Sequence, residues 1–186
     1  MKPAQIKAIQ VKIGVTPDGF WGPKSIAAAQ KHLRSLMPSP NPWPATDQAS
    51  LTKFYGAPGD ESKHVALGVG GLGLQYEGKA VHSIRCHLKI AEALRRVLVS
   101  LSTSHPDILR DYAGCYNNRS MRGGSTPSLH ARAAAVDFAP GSNGNHAHWP
   151  VKATMPFEVM EAFAREGALP AGAFWSRDAM HFQFTR

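Results

Sequence analysis

Cysteine is almost missing from this chain. Cys86 and Cys115 are the only two among 186 residues, too few for a disulfide-built scaffold and without the paired Cys/His spacing of a zinc finger. They stand open as two free thiols or one disulfide. Long apolar runs are absent too, and the longest falls far short of the ~20 residues that a membrane-spanning helix needs. The first residues, Met1-Lys2-Pro3-Ala4-Gln5-Ile6-Lys7, lack the apolar stretch of a secretory signal, so a soluble chain made in the cytoplasm is expected. Acidic residues are scarce: 13 Asp and Glu face 21 Lys and Arg, which leaves +8 at neutral pH. That balance implies an anionic partner, whether nucleic acid, a membrane surface or a wall polymer. Aromatic residues are not interleaved with the basic ones and no nucleic-acid motif is present, so nucleic acid is not the expected partner.

The 43% of hydrophobic residues is ordinary for a globular protein. A chain of this length forms one sizeable core, or a domain of about 130 residues with a small appendage. Ile6, Ile9 and Ile13 recur at helical spacing and Gly14 is placed to stop that helix. After the turn Thr16-Pro17-Asp18-Gly19, a second helix opens at Pro23 and carries Ile26, Ala29, Gln30 and Leu33. Four prolines in Met37 to Pro44 predict an extended, semi-rigid spacer. The expected division is a helical module at 1–37, a linker at 38–45 and the main domain at 46–186. The module is too small to hold a core alone and must lean on its surroundings. Thr46 or Asp47 caps a short helix through Tyr55, and Val65 to Val69 and Leu72 to Tyr76 are short strand candidates, with Gly78-Lys79 as a turn. Residues 84–101 show the best helical stripe, Ile84, Leu88, Ala91, Leu94, Leu98 and Leu101, with His87 beside it as a structural histidine. A further helix is expected from about Thr154 to Glu166, with Phe157, Met160 and Phe163 on one face.

The chemistry concentrates in Ser128-Leu129-His130-Ala131-Arg132-Ala133-Ala134-Ala135-Val136-Asp137-Phe138 and in Asp178-Ala179-Met180-His181-Phe182-Gln183-Phe184. Read as a strand from Ala133 onward, the first puts Asp137 among apolar neighbours, where an ionised carboxylate needs a cation or hydrogen bonds. The second turns His181 and Gln183 to one face and Phe182 and Phe184 to the other. His130, Asp137 and His181, with Asp178 as a further carboxylate, match the donor set of a catalytic zinc site that keeps one position open. His146-Ala147-His148 is a competing pair, but it lies in a loop without a nearby carboxylate and is assigned to groove lining.

The pattern S-x-H-x-x-(small)-x-A-x-D followed by D-x-x-H-F resembles the zinc peptidases that cut bacterial cell-wall peptides, the D-alanyl-D-alanine carboxypeptidase and L-alanyl-D-glutamate endopeptidase family that includes many phage endolysins. Gly114-Cys115-Tyr116-Asn117-Asn118-Arg119 and Arg122-Gly123-Gly124 extend the resemblance, which covers about residues 75 to 186. The family usually has glycine where this chain has Ala133. Gly14 to Ser25, with its D-G-x-W-G-P-K-S string, resembles the small helical peptidoglycan-binding domains and marks Asp18, Gly19 and Trp21 as wall-binding candidates; a turn with an aromatic plug is the structural alternative.

The resemblance implies an α+β zinc peptidase domain, a small antiparallel sheet flanked by helices, behind a small all-α module. It implies Zn2+ on His130, Asp137 and His181, with Asp178 as general base and Arg119 or Arg122 facing the oxyanion. Ser128 and Trp175 are the candidate substrate contacts, although Ser128 equally suits a backbone cap. The expected function is peptidoglycan endopeptidase of the endolysin kind, a monomer acting on the wall after delivery by another factor. The alternatives are a D,D-carboxypeptidase and, from another class, an inert wall-binding protein. Because +8 faces an anionic wall and screening lengths shrink to about 8 Å at physiological ionic strength, wall binding is expected to weaken with added salt while metal content stays constant. Sedimentation with purified walls across a salt series measures this.

Overall fold

The computed structural model describes all 186 residues. Two helices lead, α1 (Pro3–Lys12) and α2 (Pro23–Leu36). Each opens on a proline, which costs nothing in a first turn whose N–H groups are unpaired anyway. Gly14 and Gly19, at φ 73° and 82°, supply the left-handed backbone between them. Helix α3 (Gln48–Tyr55) starts on Asp47, whose carboxylate accepts from Ser50 N at 2.8 Å, and stops at Gly56 with φ 93°.

Next come β1 (His64–Gly68), the hairpin β2 (Gln75–Tyr76) and β3 (Lys79–Ala80), and β4 (Ser83–His87). Helices α4 (Ala91–Ser104) and α5 (Pro106–Leu109) lead to β5 (Tyr112–Gly114). The remainder is β6 (Ala135–Phe138), α6 (Pro140–Asn143), α7 (Phe157–Arg165), β7 (Leu169–Pro170), α8 (Ala171–Trp175) and β8 (His181–Gln183). The main sheet has four antiparallel strands in the order β5-β6-β8-β7, and β1 with β4 and β2 with β3 form two-stranded satellites. Small antiparallel sheets with surrounding helices give the expected α+β class. No helix is long and apolar enough to cross a membrane.

The long helix expected over 84–101 begins later. Ser83 to His87 form a strand paired with β1, and α4 starts only at Ala91. Ile84 fits the helical stripe, but Ile84 and Cys86 also alternate with the exposed Ser83 and Arg85, and β1 supplies the partner that lets this second period win. Leu88, counted in the stripe, is 46% exposed. His87 is buried and structural, with Nε2 hydrogen-bonded to Tyr55 O and Nδ1 accepting from Lys89 N.

The proline-rich stretch does not act as a free spacer. Trp43 is buried, its indole N–H donates to Glu166 O at 2.6 Å, and Pro44 O accepts from Arg186 N. The reason is the tryptophan itself, an aromatic too large to leave in water when a hydrophobic seat is available. One contiguous core takes in Ile9, Ala29 and Leu33 of the first two helices together with Phe157, Phe163 and Phe182. Helix α2 lies against α7 and α8. Polar ties cross the same seam: Gln30 Nε2 donates to Ala173 O at 3.1 Å, and the buried Glu161 carboxylate receives Lys12 and His32, each at 2.7 Å.

The N-terminal helices are therefore part of what keeps α7 dry. A chain starting at residue 45 uncovers Phe157 and Trp149 and strands Glu161 without Lys12 and His32, so its loss of stability is expected to exceed the ~2–5 kcal/mol of a single large-to-small core change. Denaturant unfolding of the truncated and full chains measures it.

Candidate metal centre

Strands β6 and β8 pair so that Asp137 stands directly opposite His181. The third group, His130, comes from the short 3-10 turn Leu129–Arg132 that feeds β6. Ser128 Oγ caps this turn by accepting from His130 N at 3.3 Å. Ala133 ends it in the left-handed region, at φ 50° and ψ 34°, which explains why glycine suits this position. An alanine there costs about 1–2 kcal/mol. Glycine would relieve that cost, but it would free the unfolded chain by about 0.4–1 kcal/mol and remove a buried methyl worth about 0.8 kcal/mol. The terms nearly cancel, so Ala133 holds the turn about as well.

Three electron-rich atoms meet at the end of this arrangement. His130 Nε2 lies 3.1 Å from His181 Nδ1, Asp137 Oδ1 lies 2.9 Å from His181 Nδ1, and His130 Nε2 lies 3.2 Å from Asp137 Oδ1. All three residues are buried. The outward ring nitrogens are engaged: His130 Nδ1–H donates to Cys115 O at 2.7 Å, and His181 Nε2–H to Gln183 Oε1 at 3.3 Å. The Gln183 amide is oriented in turn by its donation to Thr185 Oγ1 at 2.6 Å. With those protons turned outward, both inward nitrogens present lone pairs to each other and to a carboxylate. Unless a proton on His181 Nδ1 bridges to Asp137, a bound cation is what makes that cluster stable. Bonds of ~2.0–2.1 Å in tetrahedral geometry put donor atoms about 3.3 Å apart, close to the spacing found. The donors thus fit a divalent metal, and Cys115 O and Gln183 fix the ring orientations as outer supports do.

Electrostatics agree. Burial pushes the Asp137 carboxyl up, but the hydrogen bonds and charges of His130 and His181 outweigh it and hold Asp137 well below the usual carboxylate range. Burial lowers His181, and Asp137 more than restores it, so His181 lies above its ordinary value and a metal must displace a proton from it.

Asp178 sits one bend before β8, with His181 N donating to its backbone carbonyl at 2.9 Å and its own φ at 59°. Its Oδ1 is buried without a hydrogen-bond partner, and burial raises its carboxyl above the ordinary range, the nearby His181 opposing and Asp137 assisting. That is the setting of a carboxylate that readily accepts a proton.

The three donors open onto a groove with two arms. The smaller, about 250 Å³, is lined by Ser128, Asn145, Trp175, Arg177 and Asp178. The larger, about 720 Å³, runs past Tyr76, Arg85, Tyr112 and Tyr116. Arg119, Arg122, His130 and Asp137 border both. Trp175, 44% exposed, stacks on the His181 ring at 5.7 Å. Arg119 Nη1 donates to Ser120 O at 3.1 Å, and Arg122 is exposed at the rim.

The other candidates lie elsewhere. Asp18 Oδ1 accepts from Phe20 N and Gln10 Nε2, Gly19 N donates to Gln10 Oε1, and Trp21 meets Trp149 edge-on at 5.1 Å. These are internal uses, as in the turn with an aromatic plug. His146 and His148 are exposed in a turn and join no metal-binding group. Cys86 and Cys115 are free and buried, with burial pushing the Cys86 thiol up to about 12. Gln183 was legible as the residue sharing a strand face with His181; Cys115 acts through its backbone carbonyl, for which no side-chain signal exists. His181→Ala is expected to abolish binding of a divalent metal, and Gln183→Leu to weaken it about 10- to 100-fold with the fold intact. Competition against a chromogenic chelator separates the two.

Two of the comparisons with known proteins are empty: neither the curated proteins nor the solved structures give a match. A family model described as D-alanyl-D-alanine carboxypeptidase matches residues 122–184, less than half of the chain. The matched stretch contains His130, Asp137, Asp178 and His181, and it supports a relation to that peptidase family for the segment that builds the site.

Proposed function

We propose that this chain is a zinc-dependent peptidase that hydrolyses peptide bonds within the stem peptides of bacterial peptidoglycan, an endopeptidase of the endolysin kind. The observation that carries the proposal is the buried His130, Asp137 and His181 triangle, with Asp178 beside it in a groove open on two sides. Zinc held by three protein groups supplies a Lewis acid and an acidified water at its open position. The remaining work belongs to the chain. Asp178, half-buried and unpaired at Oδ1, takes a proton from the attacking water and returns it to the leaving amine. Arg119 and Arg122, at the border of both arms, face the charge that develops on the carbonyl oxygen. Ser128 keeps the turn of His130 in place, and the exposed face of Trp175 offers a flat wall to the substrate.

The description of the matched family favours a second reading, removal of terminal D-alanine. A carboxypeptidase needs room for only one residue beyond the scissile bond. Two arms of about 250 and 720 Å³ favour a substrate that continues in both directions. Mass spectrometry of fragments from digested walls decides: internal cleavage releases new amino termini within the stem, and a carboxypeptidase releases D-alanine alone.

Asp178→Asn keeps shape and polarity but cannot carry a proton. It is expected to retain one zinc per chain while turnover falls on the order of a hundredfold or more. Because the Asp178 carboxyl is raised, the base is lost as pH falls through a value above the ordinary 3.8, and activity falls with it. The acid limb of the pH profile should lie above that value and disappear in Asp178→Asn. A zinc-free Asp178→Asn protein would make Asp178 a ligand.

A further inference from the structure

The two most exposed large hydrophobic side chains of the molecule are Phe20, at 72%, and Val11, at 65%, and both belong to the N-terminal helical unit. Lys7 links the segments that carry them. Lys7, one helical turn before Val11 on α1, lies so near Gly19 that an added Cβ there would come within 3.2 Å of Lys7 Cε, and the Phe20 ring lies against Gly22. Lys24 follows two residues later in the first turn of α2.

Phe20 is not exposed through looseness of its loop. The buried Gln10 side chain donates to Phe20 O at 2.9 Å and to Asp18 Oδ1 at 2.8 Å, and Phe20 N donates to the same Asp18 oxygen at 2.8 Å. The backbone is pinned and the ring is turned to water. A rigid loop that presents its one phenylalanine outward has met part of the entropic cost of binding in advance.

Charge surrounds this apolar tip. Residues 1–37 carry Lys2, Lys7, Lys12, Lys24, Lys31 and Arg34 against a single acid, Asp18. Lys12 is taken by Glu158 and Glu161, and Arg34 lies over the Phe174 ring. Lys2, Lys7, Lys24 and Lys31 are exposed and enter no ion pair, and the Asp18 carboxylate is occupied by its own loop.

We infer that the face formed by Lys7, Val11, Phe20 and Lys24 docks on an anionic phospholipid surface, with the lysines at the headgroups and Phe20 and Val11 entering the interface. A soluble polyanion would reward the lysines but gain nothing from an exposed valine and phenylalanine. A bilayer interface rewards both. This inference does not depend on the peptidase assignment.

The test is sedimentation of the full chain with vesicles of phosphatidylglycerol and phosphatidylcholine, compared with pure phosphatidylcholine. Binding to the anionic vesicles alone is expected, with partitioning lowered about tenfold by Phe20→Ser and about fivefold by each of Lys7→Gln and Lys24→Gln. Circular dichroism of the variants verifies that these surface changes leave the fold intact. Equal binding to neutral vesicles, or none to anionic ones, overturns the inference. So does a Phe20→Ser protein that binds as well as the parent and is displaced by polyphosphate, because the face would then be a polyanion site.

Discussion

Three electron-rich atoms held within about 3 Å of one another in a dry interior repel, and the whole site depends on a cation to reverse that repulsion. His130 and His181 direct protons outward to Cys115 O and Gln183 Oε1, so once the proton that Asp137 favours on His181 is displaced, the inward nitrogens have none to soften the contact. The fold imposes this geometry from three separate places: the register of β6 against β8, the turn closed by Ala133, and the bend just after β5, where the Cys115 carbonyl receives Nδ1. A metal is what these elements share.

The same dependence explains the division of labour between the carboxylates. Asp137 is held ionised by two histidines and serves as a fixed donor, whereas Asp178 is half-buried without a hydrogen-bond partner for Oδ1 and gains a proton more readily. Environment sets the roles, since the side chains are chemically identical. The support extends outward through α7, which is covered by α1 and α2 and tied by Glu161 to Lys12 and His32, so the N-terminal helices contribute to the body on which the sheet rests.

Much of this was legible in the chain. His181 alternating with Phe182, and Asp137 lodged between Val136 and Phe138, announced strands with one polar face, and β6 and β8 bear that out. The caps were legible as well, since Asp47 and Gly14 act locally. Ile84 and Leu88 misled because a short segment satisfies periods of two and of 3.6 at once, and the choice was made by β1, far away in sequence. The proline-rich stretch misled in the same way: Trp43 finds its seat against Glu166, a contact that no local rule contains. Ser128 was legible as a possible cap, and it does cap the turn of His130.

The central claim is that the site is completed by one bound metal, and thermal unfolding of the metal-free chain across a zinc series tests it most directly. A ligand that binds only the folded state stabilises it by about 2.7 kcal/mol at a hundred times Kd. The account predicts a Tm that climbs steadily with zinc concentration, with saturation of binding at one zinc per chain. A Tm indifferent to zinc, with no metal retained, would contradict it.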